Sequence, residues 1–384
     1  MYLKNLHLRS FRNYQDRQVI FTTQKTILVG NNAQGKSNLL EAIELLATLK
    51  SHRTSRDREL VLENKDAGQI EAILQRAYGT AELSVILRQQ GRRTLILNQE
   101  PLRRQIDFLG VLNAVQFSSL DLDLVRGAPD ARRNWIDGLL VQLEPVYAHI
   151  LQQYERVLRQ RNALLKKIRA CEQSESAKLV QNYYSQLRLW DEQLAAAGSR
   201  VTRRRARVLA RLTPIARAWH NSISGETEIL NINYLPNVEW SEDEPEKVQQ
   251  AFLAKIEQRR TAEQHQGKSV VGPHRDEIEF TINQTPARYY GSQGQQRTLV
   301  LALKLAELKL IEQVIGEPPI LLLDDVLAEL DPNRQNQLLE VIGDRFQTII
   351  TTTHIGSFNN QWIKNSQILS VNAGQIDNYQ LTTS

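Results

Sequence analysis

A glycine-rich loop near the start of the chain follows a short apolar run and leads directly into a stretch with helical periodicity. The apolar run covers residues 27–29 and the helical stretch residues 38–46. Between them lies the spacing GxxxxGK[ST], in the strand, loop and helix context that a phosphate-binding loop requires. Its glycines let backbone N–H groups close around phosphate oxygens, and the helix N-terminus adds partial positive charge. The predicted phosphate-binding residues are Gly30, Asn31, Asn32, Ala33, Gln34, Gly35, Lys36 and Ser37.

A second apolar run, residues 318–325, ends in two adjacent carboxylates. In a site of this kind Lys36 reaches the β- and γ-phosphates of ATP, and Ser37 binds Mg²⁺. We predict that Asp324 holds the same ion, mostly through water, and that Asp325 orients or deprotonates the attacking water. Taken alone, the run could equally be a buried strand capped by surface acids. Its pairing with a phosphate loop favours a site for ATP and Mg²⁺.

The two halves of this site lie far apart in the chain. Lys36 and Asp324 are separated by 288 residues, far more than one compact α/β domain needs between these elements. A chain of 384 residues is long enough for two or three domains. We therefore predict an α/β ATPase head assembled from residues 1–112 and 268–384. A mainly helical arm domain, residues 113–267, is inserted between them.

The insertion carries two apolar patterns whose spacing alternates between three and four residues, as is typical of paired helices. The longer pattern consists of Val180, Tyr183, Leu187, Trp190, Leu194, Ala197 and Val201. The shorter one, interrupted at Arg161, consists of Leu151, Tyr154, Leu158, Leu165 and Ile168. With the polar residues 171–176 as a turn, the patterns predict an antiparallel helical hairpin. At 1.5 Å per residue this arm spans about 40 Å.

The positive charge of the chain is concentrated in this arm. The whole chain carries a net charge of +5, and residues 151–220 contain fifteen Lys and Arg against five Asp and Glu. A basic segment on an otherwise slightly acidic protein favours a polyanionic partner, nucleic acid or membrane headgroups, although a solvated helical surface is an alternative. Since no base-reading motif is evident, we expect contacts to the DNA backbone and strong salt dependence. The candidate DNA contacts are Arg53, Arg56, Arg58, Arg132, Arg133, Arg203, Arg204 and Arg205.

Several classes of protein are disfavoured by simple features. The one cysteine, Cys171, rules out an intrachain disulfide and cysteine-rich zinc modules. No apolar run approaches the ~20 residues that span a bilayer, and the N-terminus lacks the apolar core of a signal peptide. We expect a soluble, cytoplasmic protein without a membrane partner.

A further phosphate-binding element precedes the carboxylate run. Residues 291–297 read Gly-Ser-Gln-Gly-Gln-Gln-Arg and lead into an apolar helical stretch. The free amides and the Ser292 hydroxyl of such a helix start can bind phosphate, although an ordinary N-cap explains the residues about as well. Beyond Asp325 follow Ala-Glu-Leu-Asp, ending at Asp331, and an apolar strand ending near His354. His354 could reach a γ-phosphate, whereas a lone histidine is usually structural.

The order of these elements resembles an ATPase head of the ABC class, in its SMC-like branch. The resemblance implies a sandwich dimer in which Ser292, Gly294 and Gln295 of one subunit face the γ-phosphate bound by the other. It also implies that Asp331 belongs to the D-loop. The signature Ser-Gln-Gly-Gln-Gln lacks the second glycine of LSGGQ, which favours the SMC and repair branch over transporters.

Other stretches resemble the RecF family of recombination and repair proteins. Residues 8–14 contain its F-R-N element, and residues 272–276 read Gly-Pro-His-Arg-Asp, another element of that family. Residues 132–137 and 158–165 are also similar to RecF elements. Residues 116–122 resemble the Q-loop region, which makes Gln116 a candidate contact to Mg²⁺ or water. Ser119 replaces an expected proline and Ala328 a frequent serine, but neither change removes a required charge.

What the RecF resemblance implies is a slow, DNA-stimulated ATPase that acts as a switch. Such a protein dimerises on ATP, binds double-stranded DNA beside single-strand gaps, and helps RecR and RecO load RecA. These activities belong to recombinational repair, replication restart and the SOS response. The alternative is a structural chromosome ATPase of the SMC or Rad50 kind, which would need a far longer coil. A transporter ATPase and a nuclease are disfavoured.

Overall fold

The computed structural model describes residues 1–172, 177–330, 332–358 and 360–379, in two compact units. The first unit contains Met1–Leu122, Ile215–Ile229 and the chain from Ser292 onward, and the second contains Asp123–Pro214 and Leu230–Gly291. The predicted head boundaries at residues 112 and 268 therefore differ from those of the structure. The first boundary lies at residue 122 rather than 112, because residues 114–118 form a strand of the first unit's sheet.

The described strands are β1 (Tyr2–Phe11), β2 (Tyr14–Ile20), β3 (Lys25–Val29), β4 (Ala67–Arg76), β5 (Gly79–Arg88), β6 (Thr94–Leu97), β7 (Glu100–Pro101), β8 (Ala114–Ser118), β9 (Leu230–Leu235), β10 (Glu277–Ile282), β11 (Thr285–Pro286), β12 (Ile320–Asp324), β13 (Thr348–Thr352), β14 (Ser366–Asn372) and β15 (Gln375–Asn378). The described α-helices are α1 (Lys36–Thr48), α2 (Asp123–Arg126), α3 (Pro129–Leu143), α4 (Val146–Glu172), α5 (Ala177–Ser224), α6 (Pro245–Gln266), α7 (Ala287–Tyr290), α8 (Gln293–Ile315), α9 (Pro332–Ile342) and α10 (Asn360–Lys364). Within the described ranges, none of the helices combines the length and apolar character needed to cross a membrane.

The first unit contains a mixed sheet with the strand order β15-β14-β3-β13-β12-β8. All of its pairings are parallel except that of β15 with β14. The five residues of β3 are all buried, as expected of an apolar strand in the middle of a parallel sheet. Because parallel strands end at the same edge, the loops after β3, β12 and β13 lie close together. This edge carries the predicted nucleotide site.

A second, antiparallel sheet of the first unit has the order β2-β1-β4-β5-β6-β7. Along β1 the buried residues Leu3, Leu6 and Leu8 contrast with the more exposed Lys4 and Arg9. The other face of the sheet is therefore partly polar, as expected where only one face packs against the core. The turn after β1, residues 12–13, contacts the phosphate loop through the Asn13 side chain.

Helices dominate the second unit, in which α4 and the first part of α5 pack against each other. Leu164, Leu165 and Ile168 of α4 form a buried cluster with Leu187 of α5. On the predicted heptad pattern, Leu194, Ala197 and Val201 are also buried. Residues 173–176 of the predicted turn and the side chain of Val180 lie outside the described residues. The described helices agree with an antiparallel hairpin.

Arg161, which interrupts the shorter heptad pattern, is buried with its charge compensated. Its guanidinium donates to Asp191 at 2.8 Å, to Glu263 at 2.5 Å and to the Ser269 hydroxyl at 2.7 Å. A buried charge is tolerated when it is paired and hydrogen-bonded. Arg161 therefore ties α4 to α5 and α6 rather than facing solvent.

The Gly-Pro-His-Arg-Asp element, residues 272–276, makes close contacts within the second unit. Gly272 has φ +130°, and a Cβ there would collide with the Tyr154 hydroxyl. The His274 ring contacts the Tyr154 hydroxyl at 2.6 Å through Nδ1 and the Ser269 carbonyl at 3.2 Å through Nε2. Because a carbonyl only accepts, Nε2 carries the proton, and Nδ1 accepts from the tyrosine. This arrangement requires a neutral imidazole.

We expect His274 to make the protein less stable as the pH falls. Burial lowers the pKa of His274 to about 4, with help from the nearby arginine charges. The unfolded chain, with an ordinary histidine pKa near 6.5, binds this proton first, so stability falls between pH 6.5 and pH 4 and is retained above pH 6.5. The free energy of unfolding in urea should fall by about 2 kcal/mol between pH 7 and pH 5 from this group.

The matched variant is His274→Gln, which cannot take up a proton. The pH dependence of its unfolding free energy should be flatter than that of the wild type by the same amount over this interval. Equal slopes for the two proteins would contradict a neutral, buried His274.

Candidate nucleotide-binding site

The phosphate loop between β3 and α1 is shaped by two glycines that tolerate no side chain. A Cβ on Gly30 would collide with the backbone carbonyl of Val371, and Gly35 has φ +117°. Lys36 is buried, and its Nζ donates to the carbonyl of Gly30 at 2.7 Å and to that of Asn31 at 3.0 Å. The ammonium group thus lies over the loop, where it can bind the oxygens of a phosphate.

Residues of the F-R-N element hold this loop from the side of β1 and β2. The amide of Asn13 donates to the Gln34 carbonyl at 2.9 Å and accepts from the Asn38 side chain at 2.8 Å. The Tyr14 hydroxyl donates to the Gly35 carbonyl at 2.9 Å. These bonds fix loop and helix start together, which gives the element a physical role.

Arg12 of the same element anchors α1 itself. Its guanidinium binds both carboxylate oxygens of the fully buried Glu41, at 2.6 and 2.8 Å. Such a bidentate pair fixes both position and orientation. The helix that follows the loop is therefore fixed by contacts within the protein itself.

The two halves of the predicted site meet at Ser37 and Asp324. The Ser37 hydroxyl donates to Asp324 Oδ1 at 2.8 Å, across 287 residues of sequence. The Thr351 hydroxyl donates to the same oxygen at 2.7 Å and accepts from the Asp325 N–H at 3.0 Å. Thr351 thus orients both carboxylate residues.

Asp325 has an unusual backbone and a perturbed carboxyl group. Its φ of +53° lies in the left-handed region, a conformation that tends to persist in non-glycine residues at functional positions. Burial raises the pKa of Asp325; the Asp324 charge adds to this rise, and the Lys36 charge opposes it. A carboxylate of raised pKa is a better proton acceptor, as a general base requires.

The donor set at this edge fits a magnesium ion. Ser37 and Asp324 supply oxygens, and Gln116 lies on β8, the strand next to β12. Both polar atoms of the Gln116 amide are buried and have no hydrogen-bond partner among the described residues. Hydroxyl, carboxylate and amide oxygens are the ligands that Mg²⁺ takes. When bound, such an ion neutralises charge on the β- and γ-phosphates.

The signature segment, residues 292–296, begins α8. The Ser292 hydroxyl accepts from the Gln295 N–H at 3.2 Å, and the Gln295 side chain accepts from the Ser292 N–H at 2.8 Å. This reciprocal capping box makes the helix start rigid. A Cβ on Gly294 would lie 3.4 Å from the Arg334 guanidinium, which is a tight contact.

Two further predicted residues follow β12 and β13. Asp331 lies outside the described residues. His354 has an exposed side chain, and its N–H donates to the Thr352 hydroxyl at 3.2 Å. Its role at the γ-phosphate stays a prediction, as do the trans roles of the signature residues.

The family model described as RecF/RecN/SMC N terminal domain matches residues 2–376. The DNA replication and repair protein RecF of Gloeothece citriformis is 73% identical, over 99% of this chain and 100% of that protein. RecF of Rippkaea orientalis is 71% identical, over 98% and 99%.

This chain belongs to the RecF family. Solved structures agree with the sequence relatives. The recombination mediator protein RecF-ATPrS in the RecFOR pathway is 31% identical, with a TM-score of 0.89 over 99% of this chain and 98% of the other. RecF-ATP of the same pathway is 32% identical, with a TM-score of 0.87 over the same shares of each chain. The Smc head domain from Pyrococcus furiosus, 16% identical with a TM-score of 0.53 over 99% and 96%, shares the fold. The predicted ABC and SMC-like ATPase head fold is thus confirmed.

Two of the arginines predicted to contact DNA are buried in this RecF protein instead. Arg132 binds both oxygens of Glu277 at 2.7 and 2.9 Å, and only 4% of its side chain is exposed. Arg205 is equally buried and binds Asp137 and Asp276. Since neither guanidinium is accessible, the prediction that they bind DNA is wrong. Charge clustering in the sequence does not reveal which arginines have internal partners.

The remaining candidates keep some exposure and stay predictions. Arg203 and Arg204 pair with Asp243 at 2.6 Å and Glu144 at 3.1 Å, and the half-buried Arg133 donates to the Asp276 carbonyl. Arg56 is largely exposed and lies 3.5 Å from Glu59, and Arg58 is exposed as well.

Arg53 stands apart because its guanidinium donates to the Asn38 side chain at 2.6 Å. This contact places Arg53 beside the first turn of α1, one residue beyond Ser37.

Sequence reasoning missed Thr351, although one signal was available. Parallel pairing of two apolar strands that end at the same edge sets Thr351 opposite Asp324. A hydroxyl at that position is the natural donor to a carboxylate on the neighbouring strand. Its role could have been found by aligning the ends of the two runs.

Proposed function

We propose that this chain is an ATP-controlled DNA clamp of recombinational repair. It binds ATP with Mg²⁺, dimerises, and binds double-stranded DNA beside single-strand gaps. The observation that carries this proposal is the 2.8 Å contact between Ser37 and Asp324 next to the buried Lys36, within the first unit of the chain. The RecF-ATP relative supports the choice of nucleotide.

Each residue at the loop edge has a distinct part in ATP hydrolysis. Lys36 binds the β- and γ-phosphates, and Ser37, Asp324 and Gln116 hold Mg²⁺. Asp325 orients the attacking water and accepts its proton. The resemblance to RecF proteins implies a slow, switch-like ATPase rather than a fast motor.

Dimerisation is what the resemblance to ABC-class ATPase heads implies. The signature segment begins α8, whereas the phosphate loop precedes α1, and Ser292, Gly294 and Gln295 complete the site of a second copy. DNA is the polyanion favoured by the basic segment, residues 151–220. The arginines that remain candidate DNA contacts are Arg53, Arg56, Arg58, Arg133, Arg203 and Arg204. The alternative, a structural chromosome ATPase, would need a much longer coil than α4, which has 27 residues or about 40 Å.

The pathway follows from the relatives. Curated relatives are named DNA replication and repair protein RecF, and the solved ones belong to the RecFOR pathway. We propose that this protein likewise works with RecR and RecO to help load RecA, in replication restart and the SOS response, in the cytoplasm.

Fluorescence anisotropy of a labelled gapped duplex tests the proposal. We expect tight binding with ATP·Mg²⁺ and at least tenfold weaker binding with ADP. Affinity should fall steeply with salt, by about 0.9 decades per decade of salt for each phosphate contacted. A gapless duplex of equal length is the control for the junction. Binding that is indifferent to nucleotide would contradict the clamp, and no binding would favour an ATPase switch directed at protein.

A further inference from the structure

The side chain of Gln295 in the signature segment has two partners that fix its orientation. Its Oε1 accepts from the Ser292 N–H at 2.8 Å, and its Nε2 donates to Glu228 Oε1 at 2.9 Å. Rotating the amide by half a turn would place like groups against each other on both sides. Glu228 therefore determines how the Gln295 amide, and with it the capping box of Ser292, is held.

Glu228 lies in the short segment that follows α5, within the same unit as the signature segment. Its second oxygen, Oε2, lies 3.6 Å from His220 Nε2, on the last turns of α5. His220 is fully buried, and neither of its ring nitrogens has a hydrogen-bond partner among the described residues. Burial lowers the pKa of His220, although the Glu228 charge opposes this, so the ring is neutral.

A buried imidazole needs an acceptor close by, because buried polar groups are nearly always hydrogen-bonded. Glu228, to which the Gln295 amide donates, also lies beside His220. Glu228 thus stands between the end of the long helix α5 and the start of α8.

We propose that Glu228 is a positioning residue for the signature segment, which it couples to the end of α5. It acts through Gln295 and does not touch the nucleotide itself. This inference rests on the proposed function, in which Ser292 and Gln295 complete the ATP site of a second copy. It adds a residue that no sequence motif includes, and a route by which the arm helix can influence dimerisation.

The test measures dimerisation of the full-length protein by sedimentation equilibrium with ATP·Mg²⁺. Glu228→Ala should raise the dimer dissociation constant about tenfold, since it removes one charge-assisted hydrogen bond per signature segment. ATP binding by the monomer, followed with a fluorescent ATP analogue, should change less than about twofold. Glu228→Gln, whose side-chain carbonyl can still accept from Gln295, should recover most of the dimerisation. Glu63→Ala, at an exposed position of the same unit, is the matched control.

A double-mutant cycle separates positioning from general stability. If Glu228 acts through Gln295, adding Glu228→Ala to a Gln295→Ala protein should cause no further loss of dimerisation. An equal loss in both backgrounds, or an unchanged dissociation constant for Glu228→Ala alone, would overturn the assignment. A wild-type protein that stays monomeric with ATP would overturn the proposed function and the assignment together.

Discussion

Replacing Lys36 by alanine should abolish ATP binding and, with it, ATP-dependent dimerisation. The Lys36 ammonium lies over the loop, 2.7 Å from the Gly30 carbonyl, and is buried. Losing a buried, hydrogen-bonded charge partner costs about 2–5 kcal/mol, which corresponds to roughly a 30- to 4,000-fold loss of ATP affinity. Titration with a fluorescent ATP analogue measures the affinity, and sedimentation equilibrium measures the dimer.

The control for this change is Lys65→Ala, which removes an exposed lysine of the same unit. It should bind ATP and dimerise as the wild type does. In the proposed mechanism bound nucleotide closes the sandwich dimer, so a Lys36→Ala protein that still dimerised with ATP would contradict it. Dimerisation without nucleotide in both proteins would do the same.

Local spacing was enough to predict the phosphate loop and the strand that ends at Asp324. The loop needs glycines at fixed positions because backbone N–H groups must close around phosphate. These positions lie within eight consecutive residues, so a local motif identifies them. That Ser37 and Asp324 meet was predictable from the pairing of two such elements. Local spacing does not predict the contacts that support the phosphate loop, such as the bidentate contact of Arg12 with Glu41.

Domain boundaries were harder to predict because they depend on contacts between distant residues. Residues 215–229 belong to the first unit although they follow the arm helix without a break. The position of Glu228 beside Gln295 is a consequence of that arrangement. Neither composition nor periodicity changes at Pro214, where the helix passes from one unit to the other.

Three consecutive arginines of α5 illustrate how a helix separates neighbouring side chains. Arg203 and Arg204 keep some exposure, whereas Arg205 is buried. Successive residues point about 100° apart on a helix, so three consecutive side chains cannot all face the same side. The heptad pattern did not contain this information: its alternation of three and four residues continues from Val201 to Arg204 and Val208, whereas Arg205 is the buried arginine. Extending the pattern would have placed Arg204 inside instead.

Arg205→Ala should therefore destabilise the protein rather than weaken DNA binding alone. The guanidinium binds both oxygens of Asp137 at 2.8 and 2.9 Å, and it donates to the Pro273 carbonyl at 2.7 Å and to Asp276 at 3.1 Å. Its removal leaves two buried carboxylates without their cation. Breaking a buried ion pair in this way costs about 3–5 kcal/mol.

Urea unfolding followed by circular dichroism and tryptophan fluorescence measures this effect, with Arg207→Ala as the matched control. Arg207 lies on the same helix, has 58% of its side chain exposed and binds one oxygen of Asp243, so its loss should cost less than about 1 kcal/mol.

Burial raises the pKa of Asp276, and loss of the Arg205 charge would raise it further. The variant should then keep Asp276 protonated over a wider pH range, which limits part of the cost. A side chain that holds two buried carboxylates cannot be removed without lowering the free energy of unfolding. An Arg205→Ala protein that is as stable as the wild type but binds DNA more weakly would therefore contradict this role and restore Arg205 as a DNA contact.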